Sequence, residues 1–269
     1  MILSVIINGA LGRMGIEIAK IILIDKTMRL CGGIEHANHA LLGKDYGSAI
    51  GCGESSSVVT ADVTELDLNQ AIIIDFSSIT AHDALIEKIS GSPVKLVVGT
   101  TGLKQNQIDR LTELSRSMPI VYSPNMSMGV NLLFWLTEQL SKKLNGKSFD
   151  IEIIEAHHRF KKDSPSGTAR KLGEIAAASL GQTYDQAIRD GRSGIVGERT
   201  AHEIGMHAVR GGDIVGDHTV LFAGLGERIE LRHIAHSRTV FAQGAVNAAR
   251  WIADKKAGLY SMNDVLGLD

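Results

Sequence analysis

The sequence predicts an α/β protein in two parts, a doubly wound parallel domain followed by a domain whose sheet has one wet face. Three observations carry this. The chain opens with an apolar run, a glycine turn and an amphipathic stretch; four further short apolar runs follow without strict alternation; and after about Asn125 apolar positions begin to alternate with polar ones. The division read from this texture is 1–126, with 240–269 returning to it, and 127–239.

The first element is the apolar start from Met1 to Ile7, too short and lacking the basic flank of a signal peptide, and so read as a strand. Gly9-Ala10-Leu11-Gly12-Arg13-Met14-Gly15 follows, and Ile16, Ala19, Ile22 and Leu23 then recur at helical spacing. Met28 to Ile34, Ala71 to Phe76, Val94 to Val98 and Pro119 to Tyr122 are the next strands, with room between them for crossover connections. Ile108, Leu111 and Leu114 mark a helix that stops before Pro119. Beyond Asn125, Val130, Leu133, Phe134, Thr137, Leu140 and Leu144 form an amphipathic helix, and Arg228-Ile229-Glu230-Leu231-Arg232 is the clearest alternating strand. Residues 181–200 carry Gly181, Gly191, Gly194 and Gly197 with little periodicity and are read as a long mobile loop. Val240 to Lys255 is the last helix.

Composition narrows the function. With 28 Lys plus Arg against 30 Asp plus Glu, the net charge of −2 argues against a nucleic-acid or membrane-surface protein. Two cysteines, Cys31 and Cys52, cannot make a disulfide framework, no Cys/His spacing reads as a zinc site, and a reducing cytoplasm is the expected compartment. The 29 glycines beside 4 prolines are the unusual feature, and they mark places where backbone is used directly.

Gly9 to Gly15 is a G-x-x-G-x-x-G form of the dinucleotide fingerprint, in which glycines permit a tight turn, close approach of backbone to a pyrophosphate and close helix–strand packing. An acid about 20 residues on should receive the ribose hydroxyls; Glu35 lies 20 positions after Gly15, at the end of the second apolar run. The cofactor is therefore NADH or NADPH, with Glu35 and the absence of an adjacent Arg or Lys favouring NADH, and His36 placed to approach a 2′-phosphate. Asp75-Phe76-Ser77-Ser78 and Gly99-Thr100-Thr101-Gly102 sit at ends of later apolar runs, where open α/β sheets bind ligands.

The most informative segment is Glu155-Ala156-His157-His158-Arg159-Phe160-Lys161-Lys162-Asp163-Ser164-Pro165-Ser166-Gly167-Thr168-Ala169. From Arg159 to Lys171 five cations stand against the single acid Asp163, which points to a small polyanionic ligand. Its second half reads as a cap and a helix start, with the amides of Gly167 and Thr168 at the N-terminus forming a carboxylate or phosphate site. Arg170 and Lys171 fit an ordinary solvated face. His157 and His158 make a poor metal pair, because neighbours on a strand point to opposite faces and no third ligand is evident.

These blocks, with Ser123-Pro124-Asn125-Met126-Ser127, Gly129-Val130-Asn131, Gly212-Asp213-Ile214-Val215-Gly216 and Ser237-Arg238, closely resemble in order the 4-hydroxy-tetrahydrodipicolinate reductase (dihydrodipicolinate reductase) family. The resemblance implies an N-terminal Rossmann-type dinucleotide-binding domain, an α+β substrate domain with an open mixed sheet that also builds a homotetramer, and a small dicarboxylate substrate. It implies His157 and Lys161 as the proton-donor pair and His158, Gly167 and Thr168 as carboxylate contacts. The residues read as the cofactor side are Gly9, Gly12, Arg13, Met14, Gly15, Glu35, His36, Asp75, Phe76, Gly99, Thr100, Thr101, Ser123, Asn125, Met126 and Arg238. The family often has Arg where this chain has His36.

Overall fold

The computed structural model describes Ile2–Leu268. The elements run β1 (Leu3–Asn8), α1 (Arg13–Ile24), β2 (Met28–Ile34), α2 (Tyr46–Ala49), β3 (Val58–Thr60), a 3-10 turn (Val63–Glu65), β4 (Ile72–Asp75), α3 (Ile79–Ile89), β5 (Lys95–Val98), α4 (Gln105–Leu114) and β6 (Pro119–Tyr122). Then follow α5 (Met128–Leu144), β7 (Asp150–His157), α6 (Gly167–Ser179), α7 (Tyr184–Ala187), β8 (Ile188–Asp190), β9 (Ile204–Arg210), β10 (Gly216–Ala223) and β11 (Arg228–Ala235). The chain closes with α8 (Thr239–Ile252), β12 (Gly258–Tyr260) and α9 (Met262–Leu266). Met1 of the first expected strand and Asp269 of the returning segment lie outside the described residues.

Two compact units are present, Met1–Met128 with Thr239–Asp269, and Gly129–Arg238. The first holds a sheet in the order β12-β6-β5-β4-β1-β2-β3, every pair of it parallel. The inner strands feed both faces: Val5 and Ile7 join one core with α1 and α8, while Ile6 joins the other with α3 and α4. Ile72 and Ile74 repeat the division against Ile73, as do Val97 against Leu96 and Val98. Burial on both faces is why these strands read as continuous apolar runs rather than alternations. The order reverses direction at β1, so the ends of β1 and β4 border the crevice where such sheets bind ligands. In α1, Gly15, Ile18, Ala19 and Ile22 form the buried stripe.

The second unit is a mixed sheet, β11-β10-β7-β9-β8, antiparallel on one side of β7 and parallel on the other. One face packs Ile151, Ile153, Val220, Phe222, Ile204 and Met206 on Leu133 of α5 and on Ala169, Leu172 and Ala176 of α6. The opposite face leaves Ile154, Val209 and Ile234 exposed, which accounts for the alternation in sequence.

Residues 181–200 are not one long loop. They include α7 and β8, with Ala187 buried and Ile188 packed on the core of this unit. Beyond them Arg192 donates to Glu152 and Glu203, and Arg199 to Asp150, Glu152 and the carbonyls of Ile151 and Glu203. Four residues of helix and three of strand are too short to show a period, and the ion pairs to Glu152 and Asp150 reach across 40 or more positions.

Candidate functional site

In the first unit the site begins at the turn after β1. Gly9 has φ +79°, and a Cβ there would lie 2.7 Å from the Phe76 carbonyl oxygen. Gly15 has no such conformational demand, but a Cβ would lie 2.2 Å from the Gly9 carbonyl oxygen. The first glycine thus makes the turn and the third lets α1 close on it. Gly12 is the N-cap of α1, contributes no side-chain hydrogen bond, and no acid lies in the first helical turn. The positive end of the helix is therefore open to an anionic ligand.

Glu35, just past β2, accepts from the backbone N–H of Leu11 at 3.0 Å with Oε2 and from that of His36 at 3.0 Å with Oε1. It ties the strand end to the glycine turn as well as presenting a carboxylate. Tyr46 was not foreseen: fully buried, it donates its hydroxyl to the Ala10 carbonyl at 2.6 Å, and burial pushes its phenol well above the usual range. Gly33 makes room for it, since a Cβ there would come 2.8 Å from the Tyr46 ring. Only tertiary placement brings these three together, so no local pattern announces Tyr46.

A cavity of about 590 Å³ opens here, lined by Gly9, Gly12, Glu35, His36, Phe76, Ser77 and Ser78, with Lys88 of α3 at its border. That volume suits a cofactor or other small ligand, for which pockets run about 300–1,000 Å³. Lys88 is held by Asp62 at 2.8 Å. Of the other expected cofactor residues, Arg13 and Thr101 are exposed and Met14 is half-buried on the α1 side of the core.

Asp75 lies beneath the strand end. Its side chain is fully buried, and its carboxylate accepts from Asn8 at 2.9 Å, from the Ser77 hydroxyl at 2.6 Å and from the Ser77 N–H, while His82 Nδ1 lies 2.6 Å away. It fixes Ser77, which lines the cavity, from beneath. The Met126 side chain is core, 1% exposed, which leaves only its backbone for a ligand. Thr100 is buried and receives the Ser77 N–H, and Gly99 provides the space into which the Phe76 ring packs. Ser123 donates to the Asn125 carbonyl at 2.7 Å and Asn125 Oδ1 accepts from the Ser127 N–H, so this pair shapes the turn after β6. The sequence identified the strand ends but could not separate what lies on them from what lies under them.

In the second unit, β7 delivers Glu155 and His157 to one face, two residues apart. His157 Nδ1 is 2.6 Å from a Glu155 oxygen, and the His157 ring meets that of His218 from β10 edge-on at 5.2 Å. The Lys161 ammonium rests on both oxygens of Asp163, each at 2.9 Å, and holds that carboxyl below its usual range. Ser166 caps α6 by accepting from the Ala169 N–H, so Gly167 and Thr168 occupy the first two helical positions, where amides point along the axis toward the N-terminal end. His158 is half-buried, with Nδ1 buried and lacking a protein partner. Arg170 pairs with Glu174 and stacks 4.4 Å over the Tyr184 ring, and Lys171 also faces Glu174. Arg238 is exposed after β11. Among the described residues no group of three or more His, Cys, Asp or Glu side chains is placed to hold a metal ion.

His218 carries a pH prediction. Burial, then the neighbouring His157, pulls its imidazole down from 6.5 to about 3. With the folded value below the unfolded one, the unfolded chain takes up the extra proton first, so this stabilisation is complete above about pH 6.5 and is lost as pH falls toward 3. Between pH 7 and pH 4 the loss should be on the order of 2–3 kcal/mol. Urea melts at stepped pH would show it, and His218→Gln should reduce the slope in that window, half-buried His233 and the carboxylates held low, such as Glu152 and Glu155, contributing in the same direction.

A parallel seven-stranded sheet whose order reverses at β1, with a glycine turn opening onto a helix N-terminus and an acid at the end of the second strand, defines a dinucleotide-binding oxidoreductase of two units. Residues 3–126 match the family model described as dihydrodipicolinate reductase, N-terminus, and residues 129–266 match that described as dihydrodipicolinate reductase, C-terminus. The chain belongs to the dihydrodipicolinate reductase family. It is 45% identical over 266 residues to 4-hydroxy-tetrahydrodipicolinate reductase of Syntrophotalea carbinolica, covering 99% of both chains. It is 43% identical over 262 residues to the Syntrophobacter fumaroxidans enzyme of that name, covering 97% of this chain and 98% of the other. In fold it is similar to a dipicolinate-bound dihydrodipicolinate reductase from Paenisporosarcina sp. TG-14, with TM-score 0.76 and 23% identity, over 97% of this chain and 98% of that one. An amine dehydrogenase from Mycobacterium smegmatis shares the fold more distantly, with TM-score 0.58 and 13% identity over 97% and 95% of the two chains.

Proposed function

We propose that this chain reduces 4-hydroxy-tetrahydrodipicolinate to tetrahydrodipicolinate in lysine and diaminopimelate biosynthesis, using NADH or NADPH. Beyond family membership, one observation carries the reading: a carboxylate-held imidazole, an ammonium and a capped helix start lie within one short segment of the second unit, the set a cyclic imine dicarboxylate requires. Loss of the 4-hydroxyl together with a hydrogen from the adjacent ring carbon, as water, leaves the conjugated imine; a reduced nicotinamide, when bound, would supply a hydride to it, and one proton must be delivered to the ring atom that gains electron density.

The residues divide this work. The amides of Gly167 and Thr168, with His158, grip the carboxylates. Lys161 Nζ or His157 Nε2 holds the proton to be delivered. The first unit binds the cofactor, with the α1 N-terminus for the pyrophosphate and Glu35 for the ribose hydroxyls, and the second binds substrate. The exposed Ile154, Val209 and Ile234 on the open sheet face support a homotetramer built through that unit. Free Cys31 and Cys52 fit a reducing, cytoplasmic compartment, and no helix among the described residues is long and apolar enough to cross a membrane.

The test is cofactor oxidation, with the cyclic imine generated in the cuvette from aspartate semialdehyde and pyruvate by a synthase. Turnover of that imine, and none of aspartate semialdehyde alone, is expected; no oxidation with either cofactor in folded protein would overturn the reading. Glu35 at the ribose position, with no Arg or Lys beside it in sequence, favours NADH. Glu35→Ala should weaken both cofactors, since it also releases the Leu11 amide, but NADH about 10-fold more, the worth of a hydrogen bond to a charged acceptor. An unchanged ratio of the two KM values would remove Glu35 from that role.

A further inference from the structure

We propose that Glu155 is the positioning residue of the substrate site, one buried carboxylate that fixes which nitrogen of His157 faces the ligand and, through Arg210, where Lys161 stands. The inference rests on the functional reading above and deepens it.

Glu155 is 0% exposed, so its charge must be met in full by the protein. Oε2 accepts from His157 Nδ1 at 2.6 Å and from Arg210 Nη1 at 2.8 Å; Oε1 accepts from Arg210 Nη2 at 2.7 Å and from the Ser166 N–H at 3.0 Å. Four donors fill the roughly four lone-pair sites of an ionised carboxylate. Burial opposes its ionisation, yet Arg210 and then His157 keep it below the usual carboxylate range. A carboxylate with every site occupied can only accept, so His157 Nδ1 must carry a hydrogen, and the nitrogen that exchanges a proton is Nε2. A glycine leaves room beside that atom: a Cβ on Gly216 would lie 3.0 Å from it. His218, beside it on β10, is held neutral by burial and does not compete for the charge.

The same oxygens reach the other expected residues. Arg210 Nη2 also donates to the Asp163 carbonyl at 2.7 Å, and the Asp163 carboxylate holds Lys161. The Ser166 amide, bound to Oε1, sets the start of α6 and hence Gly167 and Thr168. His157, Lys161 and the helix start, which come from different parts of the segment, are all referred to one group. A merely structural Glu155, neutralising buried Arg210, would need neither the His157 contact nor the space at Gly216.

The charged and titratable groups around His157 are Glu155 on its own strand, Arg210 on β9, His218 on β10 and Lys161 on the following turn. Glu155→Gln keeps the shape and removes the charge. It should lower kcat for the cyclic imine about 10–100-fold, the usual scale for losing a partner that orients a working imidazole, leave the KM for NADH unchanged, and alter the pH profile of kcat. A folded Gln variant with unaltered kcat and pH profile would overturn the proposal. Nitrogen-15 NMR of histidine-labelled wild-type protein, with the His157 signal assigned from its loss in His157→Gln, supplies a readout independent of turnover. The neutral ring should be the Nδ1–H tautomer, and an Nε2–H tautomer would overturn the proposal even if Glu155→Gln fails to fold. Absence of imine turnover in the wild type would instead sink the functional reading, leaving the tautomer to decide the placement of Glu155.

Discussion

Lys161→Ala lowers kcat for the cyclic imine by roughly 10²–10⁴-fold, the contribution of a positioned general acid, and His157→Ala lowers it at least about 10²-fold. The two losses differ in what accompanies them. The Lys161 ammonium touches only the exposed Asp163 among the contacts described for it, its side chain being 19% exposed against 62% for its partner. A pair of that kind is worth about 0–1 kcal/mol, so the lysine variant should melt within a few degrees of wild type and its lost rate is a loss of chemistry. His157→Ala also strips a donor from buried Glu155 and should cost about 1–3 kcal/mol of stability. Steady-state kinetics in the coupled assay, beside circular dichroism melts, separates these. A Lys161→Ala enzyme with near-native kcat would assign proton delivery to His157 alone.

Gly15→Ala should abolish useful cofactor binding, with an NADH Kd weaker by about 100-fold or more. The added Cβ would sit 2.2 Å from the Gly9 carbonyl oxygen and 2.6 Å from that of Ala10, both backbone atoms of the turn itself. Something must move, and the free part is α1, whose departure takes the helix N-terminus away from the pyrophosphate position. Overpacking of this kind costs about 1–3 kcal/mol, and in a chain of this size that lowers Tm by roughly 3–10 °C. Gly12→Ala is the internal control: its Cβ meets only the Gly9 carbonyl oxygen, at 3.2 Å, so the fold should tolerate it while the exposed cap still suffers in binding. NADH fluorescence titration and a thermal melt report both quantities. Native affinity in Gly15→Ala would mean that the close approach of α1 is not what forms the site.

These cases show which parts of the molecule the sequence discloses. The strand, turn and helix at the N-terminus are legible because Val5, Ile6 and Ile7 are buried on both faces and the glycines stand at fixed spacing. Glu35 follows from distance along the chain alone. β3 and β12, three residues each, escape because so few side chains cannot establish a period. That the side chains of Asp75 and Met126 point under the strand ends is not legible, because a strand end reads alike whether its side chain points out or under. Glu155 stood within the segment that drew attention, yet its role depends on Arg210, 55 positions away, and on an amide freed by the cap of α6. Chemistry of that sort is written in tertiary contacts, and residue types along a line do not contain it.

The first unit is assembled from two stretches of chain, and this bears on how the protein is made. Its core on the α1 side includes Ala242, Ala245, Val246, Ala249 and Ile252 of α8 beside Val5, Ile7 and Ile18. At about 5–20 residues per second of synthesis, Gly129–Arg238 occupies the ribosome for roughly 5–20 s after the first 128 residues have emerged. During that interval the glycine turn, β1 and α1 exist without the helix that covers them. The second unit, continuous in sequence, can be complete before the first is closed. Substitutions on α8 should therefore show their largest effect in the yield of soluble protein from cells, a quantity that an equilibrium melt of the purified enzyme does not register.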